Sequence, residues 1–200
     1  MTHLHWTIGI SSPSGGGKTT IARSLNDRIK DSEPIFFDDY ESLTTEPGSY
    51  EQWLPDGADF NAWQCEQLVS DLKALKHGRT IDHPVTGKSI GPANTIIFDA
   101  PLGYAHGDLG ALIDFMIFVD TPLEIAMARR LLRASTENTS TDLATEMQNY
   151  LKFGRKCYLA MDRYVKPACD FIVDGSESID TIVDEILSAI DLNTQGKSRA

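Results

Sequence analysis

Two hundred residues, 41% of them hydrophobic, suffice for one α/β domain whose core needs no disulfide or metal staple. A formal net charge of −11 excludes a general nucleic-acid binder, which needs a basic face to neutralise backbone phosphates. Cys65, Cys157 and Cys169 are odd in number and lack metal-ligand spacing, so they read as reduced thiols; no apolar run approaches membrane-spanning length, and the expected setting is cytoplasmic, without nucleic-acid or membrane partners.

The N-terminus, Met1 to Trp6, has no basic segment leading a long apolar stretch, and its two histidines, His3 and His5, are expected to be inert. The apolar run Leu4 to Ile10 predicts a buried strand. It leads into Ser12-Pro13-Ser14-Gly15-Gly16-Gly17-Lys18-Thr19, and a helix is predicted from Lys18 to about Lys30, with Ile21, Leu25 and Ile29 on one face. A strand, a glycine-rich turn and a helix in that order form a phosphate-binding loop: the glycines leave a concavity lined by backbone N–H groups, and the helix adds the positive end of its dipole. Ser14, Gly15, Gly16, Gly17, Lys18, Thr19 and Thr20 are the expected cradle for ATP, Lys18 meeting the phosphates and Thr19 ligating Mg²⁺. Ser12 stands where the first glycine of this pattern is expected.

Ile35 to Phe37 reads as a second strand ending in Asp38-Asp39-Tyr40, and ligands gather at the carboxyl ends of strands in an open parallel sheet. Residues 41–58 carry Pro47, Gly48, Pro55 and Gly57 and predict a loop that covers a substrate. Asp59 looks like the N-cap of a helix running to Lys76 through Phe60, Trp63, Leu68, Leu72 and Leu75. Trp53, Phe60 and Trp63 fit either a pocket wall or the core. A hairpin or excursion is expected between Arg79 and Pro92.

Thr95 to Asp99 is the next strand; Asp99 either orients the metal shell or serves as a turn or cap residue. A short helix near Asp108 to Leu112, a strand from Phe115 to Asp120 and a helix from Pro122 follow, with Asp120 read as a cap. Arg129 and Arg133 lie at i and i+4, where two guanidinium groups suit a polyphosphate or simply favour the helix C-terminus; Arg130 could replace either. Residues 134–142 are a lid connection, a long helix spans Asp142 to Arg163, Cys169 to Val173 is the last strand, Ile179 to Ile190 a closing helix, and Asn193 to Ala200 a frayed tail. Five parallel strands separated by helices predict an α/β fold: a three-layer P-loop NTPase fold with a five-stranded parallel sheet and a helical lid. Residues 1–200 form one domain, with a substrate-cover excursion over about 41–94 and the lid over about 129–160.

Beyond the loop, the order of segments resembles the uridine kinase and nicotinamide riboside kinase group of P-loop kinases over nearly the whole chain. Ile8-Gly9-Ile10-Ser11 running into Gly17-Lys18-Thr19-Thr20, Phe37-Asp38-Asp39-Tyr40, Ile97-Phe98-Asp99-Ala100-Pro101-Leu102, Phe118-Val119-Asp120-Thr121 with Arg129-Arg130-Leu131-Leu132-Arg133, and Val165 to Asp170 carry the resemblance. It implies Asp38 as the base that receives the acceptor proton. In those kinases a Pro-x-Tyr-Asp segment and a nearby His read the pyrimidine; Pro84 to Gly91 is the corresponding stretch, and it holds neither. The region from Trp53 to Phe60 partly matches their ribose-binding stretch.

The resulting expectation is an ATP- and Mg²⁺-dependent phosphotransferase acting on an alcohol group of a nucleoside or riboside-like acceptor. Asp38, Lys18, Arg129 and Arg133 are the catalytic candidates, Thr19 and Asp99 the metal ligands, and Asp38, Asp39, Tyr40, Asp56 and Asp59 the residues facing the small-molecule acceptor. A kinase of a non-nucleoside hydroxy compound, such as a sugar acid or pantothenate-like molecule, and a nucleotide-hydrolysing switch remain alternatives, and a homo-oligomer is compatible with all three.

Overall fold

The computed structural model describes residues 5–136 and 142–197. In chain order the elements are β1 (Trp6–Ser11), α1 (Lys18–Arg28), β2 (Ser32–Phe36), α2 (Tyr50–Trp53), α3 (Glu66–Lys76), β3 (Ile81–Asp82), β4 (Ser89–Ile90), β5 (Thr95–Asp99), α4 (Gly107–Gly110), β6 (Phe115–Asp120), α5 (Leu123–Thr136), α6 (Leu143–Asn149), α7 (Arg155–Tyr164), β7 (Phe171–Asp174) and α8 (Ile179–Lys197).

β2, β5, β1, β6 and β7 form a parallel five-stranded sheet in that spatial order, with β1 at its centre; β3 and β4 form the small antiparallel hairpin expected before Pro92. Side chains alternate across the pleat, so each strand feeds both faces. Ile8, Ile10, Ile97, Ile117 and Val119 pack under α1 and α8 against Ile21, Leu25, Val183 and Ile186. Ile35, Ile96, Phe98 and Met116 pack on the other face against Leu68, Leu72 and Leu75 of α3. A third cluster, Trp53, Phe60, Phe118, Met161 and Val165, seats α7 over one end of the sheet. This is the expected three-layer α/β P-loop arrangement, with helices carried above the sheet's carboxyl end.

Register aligns the functional ends. Asp99 of β5 lies beside Ile10 of β1 and Phe36 of β2, so the loop after β1, the turn after β2 and the end of β5 open onto one edge. The chain leaves β1 for neighbours on both sides, and the crevice outside such a reversal is where an open α/β sheet takes its ligand.

Several boundaries differ from expectation. β2 ends at Phe36, and Asp38 and Asp39 sit in a 3₁₀ turn over Phe37–Leu43. The helix expected from Asp59 is split: Asp59 caps only the short turn Phe60–Ala62, and α3 starts at Glu66. Trp53 and Phe60 pack edge to face at 5.1 Å, and Gln64 pairs with the Thr45 backbone, which holds the intervening chain extended. The long helix expected over 142–163 is two helices joined by a π-helical turn, Tyr150–Gly154, a widening of the helix in which i→i+5 bonds replace the usual ladder. α8 continues to Lys197 through the segment read as a tail. Leu4, the expected start of β1, His3, and part of the lid connection (137–141) lie outside the described residues. Among the described residues no helix is long and apolar enough to cross a membrane.

Candidate active site

The loop between β1 and α1 is held from several sides. Gly16 N–H donates to the Pro13 carbonyl at 2.8 Å, and the Thr121 hydroxyl, just past β6, donates to the Gly16 carbonyl at 2.9 Å. Gly15 has φ +83°, and a Cβ there would lie 2.2 Å from the Ala126 carbonyl oxygen of α5; the loop and that helix approach too closely for any side chain. Gly17 caps α1 at φ +103°, a backbone that glycine adopts without strain. Ser12, in place of the first glycine, is fully enclosed and turns its hydroxyl onto the Pro13 carbonyl at 2.9 Å, so the loop closes without a glycine at that position.

Lys18 and Thr19 follow on the first turn of α1. The Lys18 ammonium donates to the Ser12 carbonyl at 3.2 Å and lies 4.0 Å from Asp99 Oδ1. Thr19 Oγ1 donates to Asp99 Oδ2 at 3.1 Å. Asp99 is 2% exposed, and its Oδ1 is buried without a hydrogen-bond partner. Burial pushes the Asp99 carboxyl above the usual aspartate range; Lys18 and the Thr19 hydroxyl pull it down, and the Asp38 and Asp39 charges push it up. A buried carboxylate oxygen left open beside a hydroxyl is a place for a hard cation. Among the described residues no three His, Cys, Asp or Glu side chains cluster to hold a metal by themselves. One hydroxyl and one carboxylate fit Mg²⁺, which retains waters and phosphate oxygens and is bound by few protein ligands.

Asp38 is exposed at the mouth of this edge, and its carboxylate forms no hydrogen bond or ion pair with the described residues. Asp39 lies 3.4 Å from His83 Nε2. His83 Nδ1 accepts the Val85 N–H at 3.2 Å, which leaves the proton on Nε2, facing Asp39. His83 immediately precedes Pro84, and the β3–β4 hairpin carries it to Asp39 in the turn after β2.

The acceptor-facing candidates separate. Tyr40 is 1% exposed, and its hydroxyl donates to the buried Asp71 carboxylate at 2.9 Å; it belongs to the core under α3 and not to a substrate wall, because the 3₁₀ turn rotates it inward. Asp59 uses its carboxylate as a cap, accepting from Asn61 N–H at 2.9 Å. Asp56 is exposed in the turn ahead of Gly57. Trp53 and Phe60 are core residues, whereas Trp63 is half-buried and packs on Tyr50, which stacks on Phe153 of the π turn at 5.8 Å.

The arginines also divide. Arg129 donates to the Gly175 carbonyl at 3.3 Å, beside the Thr121 hydroxyl that bonds the loop; Arg133 is exposed. Arg130 lies against the cradle: its Cγ lies 3.2 Å from where a Gly15 side chain would begin. Its guanidinium meets Glu146 of α6 at 2.6 Å and donates to the Tyr158 hydroxyl of α7. Helical spacing alone could not separate the three, since Arg129, Arg130 and Arg133 lie three, four and seven residues after Ala126, all on the face that touches Gly15. Thr20 sits exposed on the first turn of α1. A cavity of about 460 Å³ opens beside Arg130 and Glu146, walled by Tyr50, Tyr150, Phe153 and Tyr158.

The model of the Phosphoribulokinase / Uridine kinase family matches residues 7–174. Uridine-cytidine kinase-like 1 of Mus musculus is 28% identical over 208 aligned residues, covering 93% of this chain and 37% of that protein. This chain spans 37% to 42% of the length of that protein and of three further curated relatives. The uridine kinase of Borrelia duttonii (strain Ly) is 30% identical over 179 residues, covering 83% of this chain and 84% of that one. A solved shikimate kinase of Acinetobacter baumannii in complex with shikimate superposes with a TM-score of 0.55 at 13% identity over 96% of each chain, a likeness of fold.

Proposed function

The chain belongs to the phosphoribulokinase/uridine kinase family, and on that basis we propose that it is an ATP-dependent kinase that transfers the γ-phosphoryl group to a hydroxyl of a nucleoside or riboside-like acceptor. The observation that carries the reading is Asp99, buried with one open oxygen between Thr19 and Lys18 at the phosphate loop, while Asp38 stands unpartnered in the 3₁₀ turn after the adjacent strand. The first arrangement suits a nucleotide–metal complex and the second an acceptor hydroxyl.

Phosphoryl transfer asks the protein chiefly for positioning and charge stabilisation. The N–H groups of Gly15 to Thr19 and the Lys18 ammonium hold the phosphates in line with the acceptor. Thr19 and Asp99 would hold Mg²⁺, which supplies neutralising charge at the phosphate oxygens. Asp38 accepts the hydrogen bond of the acceptor hydroxyl and takes its proton as the new P–O bond forms; ADP leaves from the opposite side of phosphorus. Arg130, whose stem lies against Gly15, joins Arg129 and Arg133 as a source of guanidinium charge near the developing negative charge. Asp39, fixed by His83, is oriented to hold a second acceptor hydroxyl. α7, anchored over one end of the sheet by the third apolar cluster, limits the water that would otherwise take the phosphoryl group.

ADP release with Mg·ATP, alone and with a panel of nucleosides, ribosides and small hydroxy acids, tests this. Stimulation by a nucleoside or riboside that disappears in Lys18→Ala and Asp38→Ala is the expected result. Stimulation only by a non-nucleoside acid would replace the acceptor class, and acceptor-independent turnover would replace the kinase with a hydrolase.

A further inference from the structure

α6 is bound to the rest of the chain in an unusual way. None of its seven residues is buried, and its Leu143 is exposed, so hydrophobic packing contributes little to holding it. Its firmest tie to α5 is Glu146, whose carboxylate meets the Arg130 guanidinium at 2.6 Å with side chains only 14% and 25% exposed. Behind α6 the backbone widens into the π turn Tyr150–Gly154, which contains a glycine and no buried residue. Such turns interrupt the helical ladder and allow one helix segment to pivot on the next. On the far side of that turn α7 is anchored by Ala160 and Met161 in the third apolar cluster.

The stem of Arg130 also lies against Gly15, which puts its guanidinium within a side-chain length of the loop. A single guanidinium therefore faces two anions in turn, the carboxylate of α6 and a phosphate in the loop. We propose that Glu146 is an internal competitor for nucleotide phosphate: it occupies Arg130 in the nucleotide-free chain, and the incoming polyphosphate displaces it, freeing α6 to pivot about the Tyr150–Gly154 turn. Tyr158, bonded to Arg130, holds the guanidinium in place during the exchange. Arg suits this role because its five donors form a planar fork that matches carboxylate and phosphate alike. The inference rests on the nucleotide-binding part of the proposed function and is independent of the acceptor.

The test is calorimetric titration of Mg·ATP into the wild-type chain and Glu146→Gln, with hydrogen exchange of residues 143–149 followed with and without Mg·ATP. Because α6 buries nothing, the substitution leaves the core intact, and Glu146→Ala repeats the measurement with the side chain removed. Loss of a competitor tightens Mg·ATP binding, here by about threefold to tenfold, the range expected for a partly buried ion pair. In the wild type, exchange across α6 is slow without nucleotide and quickens when Mg·ATP binds; in Glu146→Gln it is fast from the start. A residue that merely supported the lid would, when removed, leave nucleotide affinity unchanged or weaken it, and either result overturns the proposal, as does an α6 whose protection is indifferent to nucleotide. Wild-type binding that vanishes in Lys18→Ala upholds the phosphate cradle even if the competitor fails; a wild-type chain that binds no Mg·ATP removes the cradle and the competitor together.

Discussion

Replacing Asp99 by asparagine should stabilise the nucleotide-free chain while disabling it. The carboxylate is 2% exposed, and one oxygen has no hydrogen-bond partner, so its charge is held at a loss that Lys18 at 4.0 Å and the Thr19 hydroxyl at 3.1 Å offset only in part. Burial is the largest influence on its proton affinity, which is raised. The folded chain therefore keeps this proton at pH values where the unfolded chain has released it. Asp99 weighs nothing against folding below the ordinary aspartate pKa; stability is then lost as pH rises, and the loss levels off once pH passes the raised folded value. The slope for one proton cannot exceed about 1.4 kcal/mol per pH unit, and the full effect at neutral pH is on the order of 1–3 kcal/mol, the cost of a buried group left unsatisfied. Urea unfolding of wild type and Asp99→Asn across pH 4 to 8 isolates the site, because all other groups cancel in the difference. The advantage of the variant should grow with pH and then plateau, and saturating Mg·ATP should stabilise the wild type more than the variant. A pH-independent difference, or a wild type that gains on the variant as pH rises, would refute the argument that burial dominates at Asp99.

Gly15→Ala places a Cβ 2.2 Å from the Ala126 carbonyl at φ +83°, which should destabilise the chain by about 2 kcal/mol or more and weaken Mg·ATP binding; thermal unfolding and titration measure the two effects. Tyr40→Phe leaves the buried Asp71 carboxylate short of a donor and should cost about 1–3 kcal/mol in urea unfolding, with the acceptor KM unchanged, since Tyr40 lies in the core. Lys76→Met removes the ammonium that bonds Asp114, the Leu112 carbonyl and Thr7 where α3 meets β1 and β6; a loss of about 2–4 kcal/mol with unchanged Mg·ATP affinity is expected, far from the loop as this ion pair is.

The phosphate loop, the five core strands and the Thr19–Asp99 pair were legible in the sequence because each depends on local order. A run of apolar residues must be a buried strand, three glycines before Lys-Thr admit few other backbones, and an aspartate ending a strand in a parallel sheet emerges at its carboxyl edge. What local order could not specify is which way a side chain turns where elements pack. Tyr40 looked like part of an acidic, ligand-facing turn and became core, because a 3₁₀ turn and the buried Asp71 draw it inward. Arg129, Arg130 and Arg133 all follow Ala126 at helical spacing, but only the packing of α5 shows that Arg130 lays its stem against Gly15 while Arg129 bonds the Gly175 carbonyl. His83 and Glu146 come from segments distant in sequence, and only the docking of the hairpin on β2 and of α6 on α5 brings them to Asp39 and Arg130. Composition and spacing determined a glycine-rich loop suited to a phosphate at the end of β1; tertiary packing decided which charges surround it, because a helix rotated by a single residue on the loop presents a different side chain to the same site.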